Sequence, residues 1–308
     1  MNHTKNDKAI NFPSNKEIED CISSAFIRKV DIEDLRLKAF KESTMHFWRR
    51  YRFKTFFFRK IISPLKSVSR VKKEYAQVWL TEQYPGSADI NHKYFLAWGN
   101  KTIEVIGWAE KRVHLMILSK VISQTKVKTY LEVGSGNGAM LMMLSTMHPN
   151  VKFVGVELTE EGVSAAKRMQ LNDSLPIEMI KFVPGLIKDE KAFKRVDFIQ
   201  GNAADLPFEN NKFDFISTSL ALEQMRDVQK LALKEISRVS AKYAGLLEPF
   251  PDFNQTPLRK IYTEAREYFS IPSTDLKIYG LEVKQVFTDF PSKLTRGVAY
   301  VLSTKVTS

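Results

Sequence analysis

The sequence predicts an α/β protein, a doubly wound and mostly parallel sheet with a helical cap at its N-terminal end. Three observations carry that expectation. From residue 126 onward, apolar runs alternate with amphipathic stretches, the pattern of a parallel sheet covered on both faces. Residues 130–138, Tyr-Leu-Glu-Val-Gly-Ser-Gly-Asn-Gly, lead an apolar strand into a glycine-rich turn. Glu157 follows 19 residues after the last of these glycines, where the next apolar run ends. The glycines let backbone approach a ligand without a Cβ in the way. An acid at the tip of the second strand can accept both hydroxyls of a ribose.

The elements follow in order. Residues 1–15 are mostly polar and read as a disordered tail. Ser14-Asn15-Lys16-Glu17 offers a capping box for a helix over Ile18–Lys41. A basic aromatic helix comes next and ends at Pro64. Tyr84-Pro85-Gly86-Ser87 is a turn, Asp89–Gly99 an aromatic segment, and Ile103–Ser123 a helix into the core. Residues 16–125 therefore form the cap and residues 126–308 the ligand-binding domain. Its seven strands are Lys128–Val133, Val151–Glu157, Val196–Gln200, Phe213–Ser217, Gly245–Leu247, Leu281–Phe290 and Gly297–Ser303. The last two close the sheet as an antiparallel pair. Helices Gly138–Met147, Glu160–Leu171 and Asp227–Val239 alternate with the strands, and Leu171–Lys194 reads as an insert near the ligand.

Composition sets bounds. The single cysteine, Cys21, rules out an internal disulfide and fits a reducing compartment. No apolar signal segment, membrane-length apolar run, internal repeat or zinc-type Cys/His spacing is present, so the chain reads as cytoplasmic and metal-free. The net charge is +12, and residues 1–126 hold +11 of it. His46–Lys73 carries ten Lys or Arg and no acid. On a helical wheel Phe47, Trp48, Tyr51, Phe57 and Phe58 share one broad face, and Arg49, Arg52 and Arg59 lie opposite. Such a helix suits peripheral contact with an anionic membrane, nucleic acid, or docking on the core with a solvated basic face.

Gly134-Ser135-Gly136-Asn137-Gly138-Ala139 also satisfies the dinucleotide fingerprint. Glu132, two residues before the first glycine, would repel a pyrophosphate but suits an ammonium and a sulfonium. Downstream come Gly201-Asn202-Ala203-Ala204-Asp205-Leu206-Pro207-Phe208, Lys212-Phe213-Asp214-Phe215-Ile216 and Leu222-Glu223-Gln224-Met225. In this order the segments resemble the class I S-adenosylmethionine-dependent methyltransferases, in particular the branch acting on quinones, tocopherols and sugars. The resemblance covers roughly residues 89–250 and implies a Rossmann-like, seven-stranded sheet. It implies that Glu132, Gly134, Ser135, Gly136 and Gly138 line the methionine end of S-adenosyl-L-methionine. Glu157 would hold the ribose, Leu158 pack on adenine, and Asn202 and Ala203 read its edge. Ser217 to Leu220 would close the pocket. Asn202 stands where the family usually has Asp, and Gln224 where it often has His.

A sulfonium methyl is already activated, so the enzyme's task is alignment and exclusion of water. Oxygen or carbon methyl acceptors also need a base. The candidates are His92, in the aromatic segment where such enzymes cover their substrate, and Glu223. His46, His114 and His148 sit in contexts that give no reason to single them out. The expected methyl acceptor is a small or lipid-like molecule, since no recognisable RNA-binding module accompanies the basic helix. The other readings are an RNA methyltransferase, a nicotinamide-dependent oxidoreductase and a non-catalytic S-adenosylmethionine-binding protein. Oligomeric state is not legible.

Overall fold

The computed structural model describes residues 9–58, 67–81 and 92–306. The elements run Asn15–Ile22 (α1), Phe26–Val30 (β1), Leu35–Phe58 (α2), Val68–Thr81 (α3), Lys93–Trp98 (β2), Lys101–Ile106 (β3) and Ala109–Thr125 (α4). Thr129–Val133 (β4), Ala139–Met147 (α5), Lys152–Glu157 (β5), Glu160–Gln170 (α6), Ile177–Ile180 (α7) and Asp197–Gln200 (β6) follow. The chain closes with Phe213–Ser219 (β7), Gln229–Val239 (α8), Ser240–Glu248 (β8), Pro257–Ala265 (α9), Leu281–Phe287 (β9), Ser292–Lys293 (β10) and Ala299–Lys305 (β11).

The main sheet has seven strands in the order β6-β5-β4-β7-β8-β11-β9. The first five are mutually parallel, and β11 runs antiparallel to both β8 and β9. Period-2 alternation divides the strand residues between two cores. Tyr130, Phe153, Phe215 and Tyr300 pack on one side with α4 and α5. Leu131, Val154, Ile216, Leu246 and Val301 pack on the other with α8. The Tyr130 and Phe215 rings stack at 5.2 Å. The strand order reverses between β4 and β7, so the crevice of a doubly wound sheet opens outside their carboxyl ends.

The cap departs from the helical expectation. A second, antiparallel sheet runs β1-β3-β2-β10, and its last strand comes from the C-terminal part of the chain. The expected helix over 18–41 is three elements. The capping box at Ser14 and Glu17 starts α1 as expected, but the helix stops at Ile22 and the chain turns into β1. Asp34 then caps α2, accepting from the Arg36 and Leu37 N–H groups. The expected helix over 103–123 begins only at Ala109, because Ile103 and Val105 alternate inward on β3. Glu104 on that strand is buried and paired by Arg28 and Arg36 at 2.7 and 2.9 Å.

The expected tail over 1–15 falls partly outside the described residues. Within them, Phe12 stacks on Phe287 at 4.7 Å and the Ile10 N–H donates to Gln285 Oε1, so residues 9–14 pack on the C-terminal sheet. The 171–194 insert also departs from expectation. Lys188 and Asp189 N–H groups bond the Thr146 carbonyl at the far end of α5, and no insert residue lines the cavity described next.

Candidate functional site

The loop after β4 builds the site from backbone. The Gly134 and Ser135 N–H groups both donate to the Val156 carbonyl, which ties the loop to β5. Gly136 has φ +56°, and a Cβ there would lie 2.8 Å from the Trp79 ring. Glycine is therefore required twice over, by backbone conformation and by the aromatic cover above it. Gly138 has φ +75°, and its Cβ would meet the Phe198 ring at 2.3 Å. It allows close packing of helix on strand and does not line the cavity.

That cavity, about 340 Å³, lies over the carboxyl ends of β4 and β7. Glu132, Gly134, Ser135, Gly136, Glu157, Leu158, Asn202, Ala203 and Leu220 all line it, as the sequence led one to expect. Ser217 does not; it is fully buried on β7 opposite Glu132. Glu157 Oε2 accepts the Gly136 N–H at 3.0 Å, and Oε1 accepts the backbone and hydroxyl of Thr159. Oε2 keeps a further lone pair for a ligand, whereas both lone pairs of Oε1 are taken by Thr159. Asn202 Oδ1 accepts the Ala204 N–H, which leaves its amide N–H₂ for a ligand.

Glu132 is the electrostatic centre of this half. It is 2% exposed, and its Oε2 has no hydrogen-bond partner in the protein. Burial pushes its carboxyl up to about 8. A buried acid that lines a cavity, with no ion pair to it among the described residues, fits a cationic ligand. The site therefore fits S-adenosylmethionine, whose ammonium and sulfonium would meet Glu132 while Glu157 takes the ribose.

The other end of the cavity is polar, and the sequence pointed to only part of it. Glu223 is there, as expected, 2% exposed and bonded by Arg296 at 2.6 Å and by Gln224 Nε2 at 2.9 Å. Gln224 thus holds the site acid and is no proton acceptor. Arg296 also faces Glu110 at 3.9 Å. Burial works against the guanidinium's charge, but Glu223 and Glu110 outweigh it and hold its pKa above the ordinary value. Lys111 and His114 of α4 complete this end.

His92 is not brought to the site. It is exposed, outside the cavity lining, with its ring on Tyr94 at 6.4 Å. The aromatic cover comes instead from α3, through Val68, Val71, Tyr75 and Trp79. Their spacing of three, four and four residues is a helical stripe visible in the sequence. Arg296 had no local signal, since it reaches the site from the loop after β10. Among the described residues no group of His, Cys, Asp or Glu could hold a metal ion.

Comparison with known proteins bears on this geometry. A family model described as a methyltransferase domain matches residues 124–289, more than half of the chain. A demethylmenaquinone methyltransferase of Porphyromonas gingivalis is 26% identical over 144 residues, 46% of this chain and 51% of that protein. A ubiquinone/menaquinone biosynthesis C-methyltransferase of Rickettsia prowazekii is 27% identical over 113 residues, 35% of this chain and 38% of that protein. The chain thus spans about half, or less, of the length of these curated relatives. Among solved structures, magnesium protoporphyrin IX methyltransferase of Synechocystis with bound SAH superposes with TM-score 0.47 at 11% identity, covering 63% of this chain and 83% of that one.

Proposed function

The chain belongs to the class I S-adenosylmethionine-dependent methyltransferases, and we propose that it methylates a small or lipid-like molecule of the hydroquinone kind. One observation carries the reading: a single cavity joins an unpartnered buried acid under a glycine loop to a buried polar end beneath an aromatic cover. When bound, S-adenosylmethionine supplies a methyl group already activated on sulfur. Glu132, Gly134 and Gly136 would hold its methionine end, Glu157 its ribose, and Leu158, Asn202 and Ala203 its adenine. Trp79 and Tyr75 exclude water and present apolar faces, which favours a step in which charge disperses. The quinone-modifying relatives point to the acceptor class, and the enclosed aromatic cover agrees with it. Incubation with S-adenosylmethionine and a reduced demethylmenaquinol bearing one isoprenoid unit is expected to give methylated quinol by mass spectrometry. No product from protein that binds S-adenosylhomocysteine would contradict this acceptor.

A lipid-like acceptor must be collected from a membrane. Among the described residues no helix is long and apolar enough to cross one. The basic helix α2 divides its aromatic residues. Trp48 docks on Tyr262 of α9 at 4.9 Å, with the Arg266 guanidinium over its ring. Phe47 and Phe53 remain 57% and 66% exposed, and Arg49 and Arg50 are exposed with them. Residues 59–66, also part of the basic stretch, lie outside the described residues. We read the outward side of α2 as a peripheral contact for anionic lipid. Sedimentation with phosphatidylglycerol vesicles is expected to bind the protein at low salt. The Arg49→Glu, Arg50→Glu double variant should bind on the order of tenfold or more weakly, at about 1 kcal/mol per basic residue. Equal binding to neutral vesicles would contradict the electrostatic part of this reading.

A further inference from the structure

We propose that His114 is the base of the reaction, taking the proton of a hydroxyl on the methyl acceptor, and that the cavity's polar end is the subsite for that hydroxyl. The assignment rests on the methyl-transfer reading above. His114 is 1% exposed and lines the cavity, and no protein group hydrogen-bonds its Nε2. Its ring is set edge-on to the buried Phe290 at 5.9 Å, which fixes its orientation. A buried nitrogen left unbonded costs free energy unless a ligand satisfies it.

The surroundings suit a neutral ring that becomes charged only during reaction. Burial pushes the imidazole down to about 4, against the pull of Glu110, and Arg296, Lys111 and Lys293 add to the fall. The ring is therefore neutral near neutral pH, with a lone pair on one nitrogen. Glu110 precedes it by one helical turn and lies on the same face of α4. Its Oε1 also has no hydrogen-bond partner in the protein. Burial works against the Glu110 charge, but the Arg296 and Lys293 cations oppose it and hold its carboxyl below the ordinary value. An imidazolium at His114 would thus form beside a standing carboxylate.

The step balances. The hydroxyl proton passes to Nε2, and the bonding pair stays with the methyl acceptor as the nucleophile's charge. The nucleophile's bond to the methyl carbon would form as that carbon's bond to sulfur breaks, with the pair left on sulfur. On a quinol ring carbon the displaced ring hydrogen then leaves to water as a proton, which restores the aromatic ring, and the oxygen takes its proton back from Nε2. Glu110 acts on His114 through its charge, which favours the imidazolium, while Arg296 opposes it.

The test compares His114→Gln with the wild type, using the short-chain demethylmenaquinol held reduced. At saturating S-adenosylmethionine the wild-type kcat is expected to change little between about pH 6 and 9. The variant should be on the order of 10²-fold slower at the acid end. Its deficit should shrink as pH rises, because the quinol then ionises unaided. Its Kd for S-adenosylhomocysteine should stay unchanged. A second readout needs no turnover. In protein with carbon-13 in its histidines, naphthol should shift the His114 ring signal and naphthalene should not. A variant deficit equal at every pH, a variant at full rate, or a ring signal indifferent to naphthol overturns the assignment alone. A wild type that binds S-adenosylhomocysteine but never methylates the quinol overturns the acceptor reading and this assignment together.

Discussion

Arg296→Leu is expected to lower the stability of the fold by about 3–5 kcal/mol. The guanidinium is 11% exposed and lies between Glu223 at 2.6 Å and Glu110 at 3.9 Å, both themselves buried. Leucine would fill much of the space but leave two buried carboxylates without their cation. That desolvation penalty, and not the lost attraction, is the larger quantity. The effect has a pH sign. Without Arg296, burial is expected to push the Glu110 carboxyl up in the folded state, because its largest opposing charge is gone. The folded state then holds protons the unfolded state has lost, so the deficit should grow as pH rises above the ordinary carboxyl range. Urea midpoints at about pH 5 and pH 8, with unchanged m-value, would show it. Adding Glu223→Leu should recover part of the loss, since apolar replacement of both partners is far cheaper than removal of one. An Arg296→Leu midpoint equal to wild type would mean the cluster is not buried as described.

Glu132→Gln is expected to weaken S-adenosylmethionine binding at least about 30-fold above pH 8, from the ~2 kcal/mol or more lost when one partner of a buried charge pair is removed. Below that the difference should narrow. Burial holds the Glu132 carboxyl up to about 8, so near neutrality it is mostly protonated. The carboxylate is the form that pairs with a cationic methionine end, and binding must release a proton. Wild-type affinity should therefore rise about tenfold per pH unit up to about pH 8 and level off above it. The Gln variant should show no such rise. The same sign governs folding without ligand. A raised carboxyl pKa removes stability as pH climbs above the unfolded value, so Glu132→Gln should be no less stable than wild type near pH 8. Calorimetry in two buffers of different ionisation enthalpy reads the proton release directly. A wild-type affinity independent of pH would remove Glu132 from the ligand's cationic end.

The glycine-loop half of the cavity was legible because its parts are local. A strand, three glycines and an acid within 28 residues specify a turn, a close backbone approach and a carboxylate at a strand tip. The sheet was legible for the same reason, since each parallel strand is an apolar run that must be covered on both faces. The cap was not. β1 pairs with a strand about 75 residues away and β10 with one nearly 200 away, and such partners leave little trace in a short window. Ile27 and Val30 on β1 read as one more turn of helix because short apolar stretches fit either period. The charged end of the cavity was hidden more deeply. Glu110 and His114, Glu223, and Arg296 come from three separate segments, and only their burial together gives them meaning. His92 drew attention by its aromatic neighbours and proved exposed, while His114 was passed over on an apolar helix that carries it into the cavity. The α3 and α4 residues and Arg296 also lie outside the residues matched by the methyltransferase-domain model. Of the groups named at the polar end and its cover, only Glu223 and Gln224 lie within that match.

The most direct test of the whole account is methyl transfer from tritium-labelled S-adenosylmethionine into a cell extract, separated into aqueous small molecules, organic-extractable lipids, RNA and protein. The cavity's aromatic cover and buried polar end lead us to expect label in the organic-extractable pool, lost in the Glu132→Gln protein near pH 8. Label confined to RNA would contradict the account and make the basic helix α2 the substrate-binding element.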